Sequence, residues 1–151
     1  MKKETNKQPK AMKKTITVEF AIAAFNNLRT AKVGKMKDNE KFTVAKALRS
    51  LRPIAKSFND LTEDIREKFK PENFDDLVKK TGEEGRGSAE QDEALRELNR
   101  YNKSVNDCIN QEIEKEVEID IEPLSEEALG RLVASNDFNL ETIMALRDVL
   151  C

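Results

Sequence analysis

The side chains with the greatest capacity for chemistry in this sequence are cations. Lys32, Lys35, Lys37, Lys41, Lys46, Arg49, Arg52 and Lys56 fall within one short stretch. Such a stripe can neutralise several phosphates, which gives salt-sensitive binding to nucleic acid. Within it, Lys41, Lys46, Arg49, Arg52 and Lys56 are the candidate phosphate or nucleic-acid contacts. Three usual companions of such binding are missing. No aromatic residues interleave to stack bases, no helix-turn-helix spacing is present, and no glycine-rich RNA motif follows.

Histidine is absent. Every His-based dyad, triad or metal site goes with it. The carboxylate pairs Asp60/Asp64 and Glu63/Glu67 have helical spacing but sit beside Arg66 and Lys68. They read as a solvated face rather than a metal site. The acidic run Glu112–Glu122 lacks the loop pattern of a calcium hand. Cys108 and Cys151 form no CxxC pair, and no imidazole can activate either thiol. Ser57 and Ser104 have no base at a useful spacing. The expectation is a non-enzymatic protein with no catalytic residue, no metal and no cofactor.

The chain has 151 residues, of which 37% are charged, 38% hydrophobic and 5% aromatic. That is enough for one modest core. Net charge is −2, but it hides an asymmetry: residues 1–56 hold 15 Lys/Arg against 4 Asp/Glu, and residues 57–151 hold 12 against 25. The two halves are expected to fold against and neutralise each other. No run of 18 apolar residues occurs, so no membrane span is expected. The Lys-rich start, Met1–Lys14, leads into a short apolar stretch broken by Glu19. This does not read as a secretory signal.

Positioning these residues falls to a mainly helical architecture. Residues 1–14 read as a disordered Lys-rich tail, and 15–151 as a single helical-hairpin domain. In Thr15–Phe20, Ile16, Val18 and Phe20 alternate with polar residues, which predicts a short strand. Phe20, Ala21, Ala24, Phe25 and Leu28 then share a helical face. Asp38 or Asn39 is placed to cap the next helix. Its apolar stripe is Phe42, Ala45, Leu48, Leu51, Ala55, Phe58, Leu61, Ile65 and Phe69, with Pro53 predicted to kink or break it and the unbroken stripe favouring the kink. One further turn fits Asn73–Lys80, and TGEEGRGS (81–88) reads as a flexible loop. Ser88 and Gln91 form a capping box for a second long helix. Its seam of Ala94, Leu98, Tyr101, Val105, Cys108 and Glu112 has coiled-coil spacing and predicts a partner at Leu48–Ile65. Val117, Ile119 and Ile121 alternate with acids up to Pro123, a strand suited to pair with the Lys-flanked first one. Ser125 and Asn139 cap two short final helices.

The order of these pieces resembles a loose group of small bacteriophage and prophage proteins. The matching segments are AIAAFNNL (21–28), FTVAKALRSLRPIAKSFNDLTEDIREKF (42–69), the loop 81–88 and EIEKEVEIDIEPLSEEAL (112–129). VEIDIEPLS is the most distinctive, while Pro53 and the Lys-rich start depart from the pattern. The resemblance implies no activity. It implies a mobile-element protein that works by binding, in a bacterial cytoplasm or on a virion.

The expected fold is therefore mainly α: a long antiparallel helical hairpin, a small two-stranded β-sheet and a helical C-terminal cap. The expected function is a phage-type interaction or assembly protein, with a protein partner or self-association. Phe25, Phe74 and Phe138 are the candidate partner-binding residues. Nucleic-acid binding through the basic half is the alternative. A third reading is capture of a small nucleotide, with Arg49, Arg52 or Lys56 facing its phosphates.

Overall fold

Alternating β-branched residues near both ends of the chain build the one sheet among the described residues. In the computed structural model, which describes residues 11–82 and 87–151, β1 (Met12–Thr17) pairs antiparallel with β2 (Glu116–Ile121). Ile16 lies opposite Val117 and Lys13 opposite Asp120, and Lys13 also reaches Glu118 at 3.7 Å. The basic strand and the acidic strand thus pair as their charges predict. Strand β1 begins and ends earlier than expected. The Thr17 hydroxyl accepts from the Phe20 N–H (3.2 Å) and starts a helix there. Val18 and Phe20 therefore belong to α1 (Val18–Arg29), and their alternation with Ile16 does not continue the strand. Of the tail expected over 1–14, residues 1–10 lie outside the described ones, and Met12–Lys14 are strand.

The fold is mainly α. Helices α2 (Asp38–Phe69), α3 (Phe74–Thr81), α4 (Ala89–Ile113), α5 (Glu126–Ala134) and α6 (Leu140–Leu150) complete the described elements. Helix α2 is continuous through Pro53, so the proline does not break it. Its cap differs from the expected one. The Glu40 carboxylate reaches back to accept from the Lys37 N–H (2.9 Å), one half of a capping box. Ser125 and Asn139 cap α5 and α6 as their sequence positions predict. Ser88 accepts from the Gln91 N–H (3.1 Å) at the start of α4.

The contacts divide the chain into two compact units. The first joins the residues up to Ser57 to Glu114–Cys151, and the second is Phe58–Ile113. In the first unit, Ala21, Ala24, Leu28, Val44, Ala47 and Leu51 bury in one cluster with Ile119, Ile121, Leu129, Leu132, Leu146 and Val149. The loop after α1 is tied to the α5–α6 turn. The Asn136 side chain accepts from the Lys32 N–H (2.8 Å) and donates to the Lys32 carbonyl (2.7 Å). In the second unit, α3 packs on α4. Tyr101 stands edge-on to Phe74 at 5.5 Å and donates to the Arg66 carbonyl (3.3 Å). Ile65, Leu77, Ala94 and Val105 are its buried apolar residues. The loop expected over 81–88 has residues 83–86 outside the described ones.

The stripe expected along α2 is corrected over its first half. Val44, Ala47, Leu51 and Ala55 are buried, while Ala45 is exposed and Phe42 is 69% exposed. Two adjacent lanes of this helix have apolar residues at three- and four-residue steps, and Leu51 and Ala55 belong to both. Large side chains pointed to the wrong lane. The smaller Val44 and Ala47 enter the core, and the lane of Phe42 and Ala45 turns outward.

A candidate binding groove

The outward lane of α2 lines a groove in the first unit. It encloses about 820 Å3 between α2 and the segment from Glu122 to Ala128. Phe42, Ala45 and Leu48 supply apolar surface from α2, and Pro123 and Leu124 supply it opposite. The end of β2, Pro123 and the Ser125 cap of α5 fix that opposite wall. The Leu124 N–H donates to the Leu150 carbonyl at 2.7 Å, which anchors it to the end of α6.

Three of the candidate cations line this groove: Lys46, Arg49 and Arg52. They differ in what holds them. Lys46 is bound to Glu122 at 3.0 Å, the acid on the opposite wall. Arg49 and Arg52 are exposed, and neither side chain has an ion-pair or hydrogen-bond partner among the described residues. The other acid of the groove, Glu40, is spoken for. Arg131 donates to both Glu40 oxygens, from Nε at 2.8 Å and from its terminal nitrogen. That hydrogen bonding, aided by the Lys37 N–H, holds the Glu40 carboxyl at about 2. The Arg131 guanidinium is pushed up by the same pair. Ser125 is likewise engaged, accepting from the Ala128 N–H at 3.1 Å. Two guanidiniums beside an exposed aromatic ring are what this groove offers to a ligand.

The remaining candidates are dispersed. Lys41 pairs with Asp38 one turn away (3.8 Å), and Lys56 is exposed outside the groove lining. Phe25 and Phe138 are half-buried and pack against the core of the first unit, with Arg29 lying 6.0 Å over the Phe25 ring. Phe74 is half-buried in the second unit, with Lys70 5.1 Å over its ring. Phe25 and Phe138 thus belong to the first unit and Phe74 to the second. The exposed apolar side chains are others, led by Leu140, Phe42 and Met144. Phe42 was hidden by its place in the apolar stripe. Leu140 and Met144 were hidden among the core-forming residues of the last helix.

Among the described residues, no three His, Cys, Asp or Glu side chains are grouped to hold a metal ion. The pairs Asp60/Asp64 and Glu63/Glu67 are exposed. No described helix is long and apolar enough to cross a membrane. Both cysteines are free, and burial pushes the Cys151 thiol up. Comparison with protein-family models, with curated proteins and with solved structures finds no match.

Proposed function

We propose that this chain is a non-enzymatic interaction protein, of the phage or prophage type that its sequence resembles, and that it holds its partner in the groove on α2. One observation carries this reading. Every other charged group lining the groove is paired within the chain, while Arg49, Arg52 and the Phe42 ring face outward uncommitted. Charged side chains with internal partners position the walls. An exposed aromatic ring and free guanidiniums lining one groove have the composition of an interface centre, where aromatic residues and Arg are enriched.

The test is a pair of substitutions compared with the intact chain for partner capture and for thermal unfolding. Phe42→Ala and Arg49→Ala are expected to weaken capture at least tenfold and to leave the melting temperature within a few degrees. Equal capture by both variants contradicts the reading.

A second reading has an observation of its own. Arg49 and Arg52 lie three residues apart on one helix without internal partners, and could serve phosphates of a nucleic acid. Against it, Glu40 and Glu122 line the same groove. Titration against salt separates the two. Nucleic-acid binding is expected to fall steeply with salt, whereas a partner seated on Phe42 keeps most of its affinity.

A further inference from the structure

The occupant of the groove can be sought in the molecule itself, because α6 carries a surface of opposite character. Of its buried residues, Leu146, Val149 and Leu150 join the core cluster of the first unit. Its other side is open. Leu140 is 78% exposed and Met144 is 65% exposed, the most exposed large apolar side chains among the described residues besides Phe42. Leu140, Met144 and Asp148 step by four and so share one lane, with Glu141 at its edge. The cation on this side, Arg147, is bound to Glu126 at 2.7 Å. Glu141 and Asp148 are exposed, and neither has a partner among the described residues.

The two surfaces are therefore complements. In the groove the acids are paired internally and two guanidiniums are left over. On α6 the cation is paired internally and two carboxylates are left over. Each pair of leftover charges shares its surface with exposed apolar side chains. Like charges facing each other repel and opposite charges select, so the pattern favours groove against α6 over groove against groove.

We propose that a second copy of this chain fills the groove: the outer side of α6 from one copy lies against α2 of another. Leu140 and Met144 pack on Phe42 and Leu48, and Glu141 and Asp148 meet Arg49 and Arg52. The inference rests on the groove being the binding surface and adds what occupies it. Every copy carries both halves of the contact, so two copies can exchange them reciprocally as a closed pair.

The test is sedimentation velocity on the full chain from about 1 to 100 µM, with two charge-reversed variants. One is Arg49→Glu with Arg52→Glu, and the other is Glu141→Lys with Asp148→Lys. All four positions are exposed, so helical content and melting temperature should match the parent and are checked first. The parent is expected to associate. Each variant alone is expected to associate at least tenfold more weakly, because like charges then face each other. An equimolar mixture of the two is expected to recover association, since both contacts between unlike copies regain opposite charges. A parent that stays monomeric over the whole range overturns the inference, as does a mixture that fails to recover. If the parent is monomeric but Phe42→Ala still loses an external partner, the groove reading stands and the self-association does not. If Phe42→Ala loses neither, both fall.

Discussion

The two units of this protein use the same helical periodicity to different ends. The first is closed by residues far apart in sequence. Glu40 meets Arg131, Lys32 meets Asn136, and Met12 of β1 meets Ile121 of β2. Its buried cluster draws on both strands, α1, α2, α5 and α6. The second unit is built from consecutive helices, and its buried set includes the polar Thr62 and Gln91. Helix α2 contributes to both. Its apolar steps alone do not say which lane is buried. What packs on it decides, and the unit with the long-range core leaves the lane of Phe42 and Ala45 outside.

The comparison makes truncation in the first core the most damaging change. Leu51→Ala and Leu132→Ala remove fully buried side chains and should each cost about 2–5 kcal/mol. Leu98→Ala, at a half-buried position in the second unit, should cost less. Urea unfolding followed by far-ultraviolet circular dichroism measures all three. The single tyrosine, Tyr101, lies in the second unit, so its emission reports that unit by itself. If Leu98→Ala costs as much as Leu51→Ala, the contrast between the units is wrong.

Next in size are the ties that close the first unit. Asn136→Ala removes both bonds to Lys32 and should cost about 1–2 kcal/mol in the same unfolding experiment. The Glu40–Arg131 pair gives a pH signature. The Glu40 carboxyl titrates at about 2 in the folded chain against an ordinary 4.5. A depressed carboxyl stabilises the fold above its unfolded value, and that stabilisation is lost as pH falls from about 4.5 through about 2. Melting temperature against pH should fall across that window. Glu40→Gln should be less stable at neutral pH and flatter below 4.5. An unchanged slope in Glu40→Gln would place the acid sensitivity elsewhere.

The smallest effects belong to the second unit. Gln91→Ala breaks the bonds from the Gly87 N–H and to the Thr81 carbonyl and should cost about 1 kcal/mol. Lys103→Ala breaks only the exposed pair with Asp107 and should stay within about 0.5 kcal/mol. Hydrogen exchange sharpens the same contrast. Amides of Leu51, Leu132 and Leu146 should exchange last, and those of α3 much earlier.

Much of the local chemistry was legible in the sequence. Ser88, Ser125 and Asn139 cap the helices their positions predict, and the acidic alternation at Val117–Ile121 is β2. The mainly helical class and the small sheet follow from the same signals. One local choice was concealed: Thr17 ends β1 because its hydroxyl caps α1, a competition hidden by the alternation of Ile16, Val18 and Phe20. Non-local choices were not legible. Glu40 is a helix-start acid in sequence, and only the fold brings Arg131 to it. Of the groove, Lys46, Arg49 and Arg52 were found as charges, but their different pairing was not. Phe42 was missed because size alone assigned it to the core.

The outward lane of α2 is tested most directly by comparing Phe42→Ala with Leu51→Ala, nine residues along the same helix. For each, the urea midpoint and the association measured by sedimentation are recorded under identical conditions. Leu51→Ala should lower the midpoint strongly. Phe42→Ala should leave the midpoint nearly unchanged and weaken association at least tenfold. A Phe42→Ala variant that unfolds as early as Leu51→Ala, or that associates as the parent does, would contradict the assignment of this lane to binding.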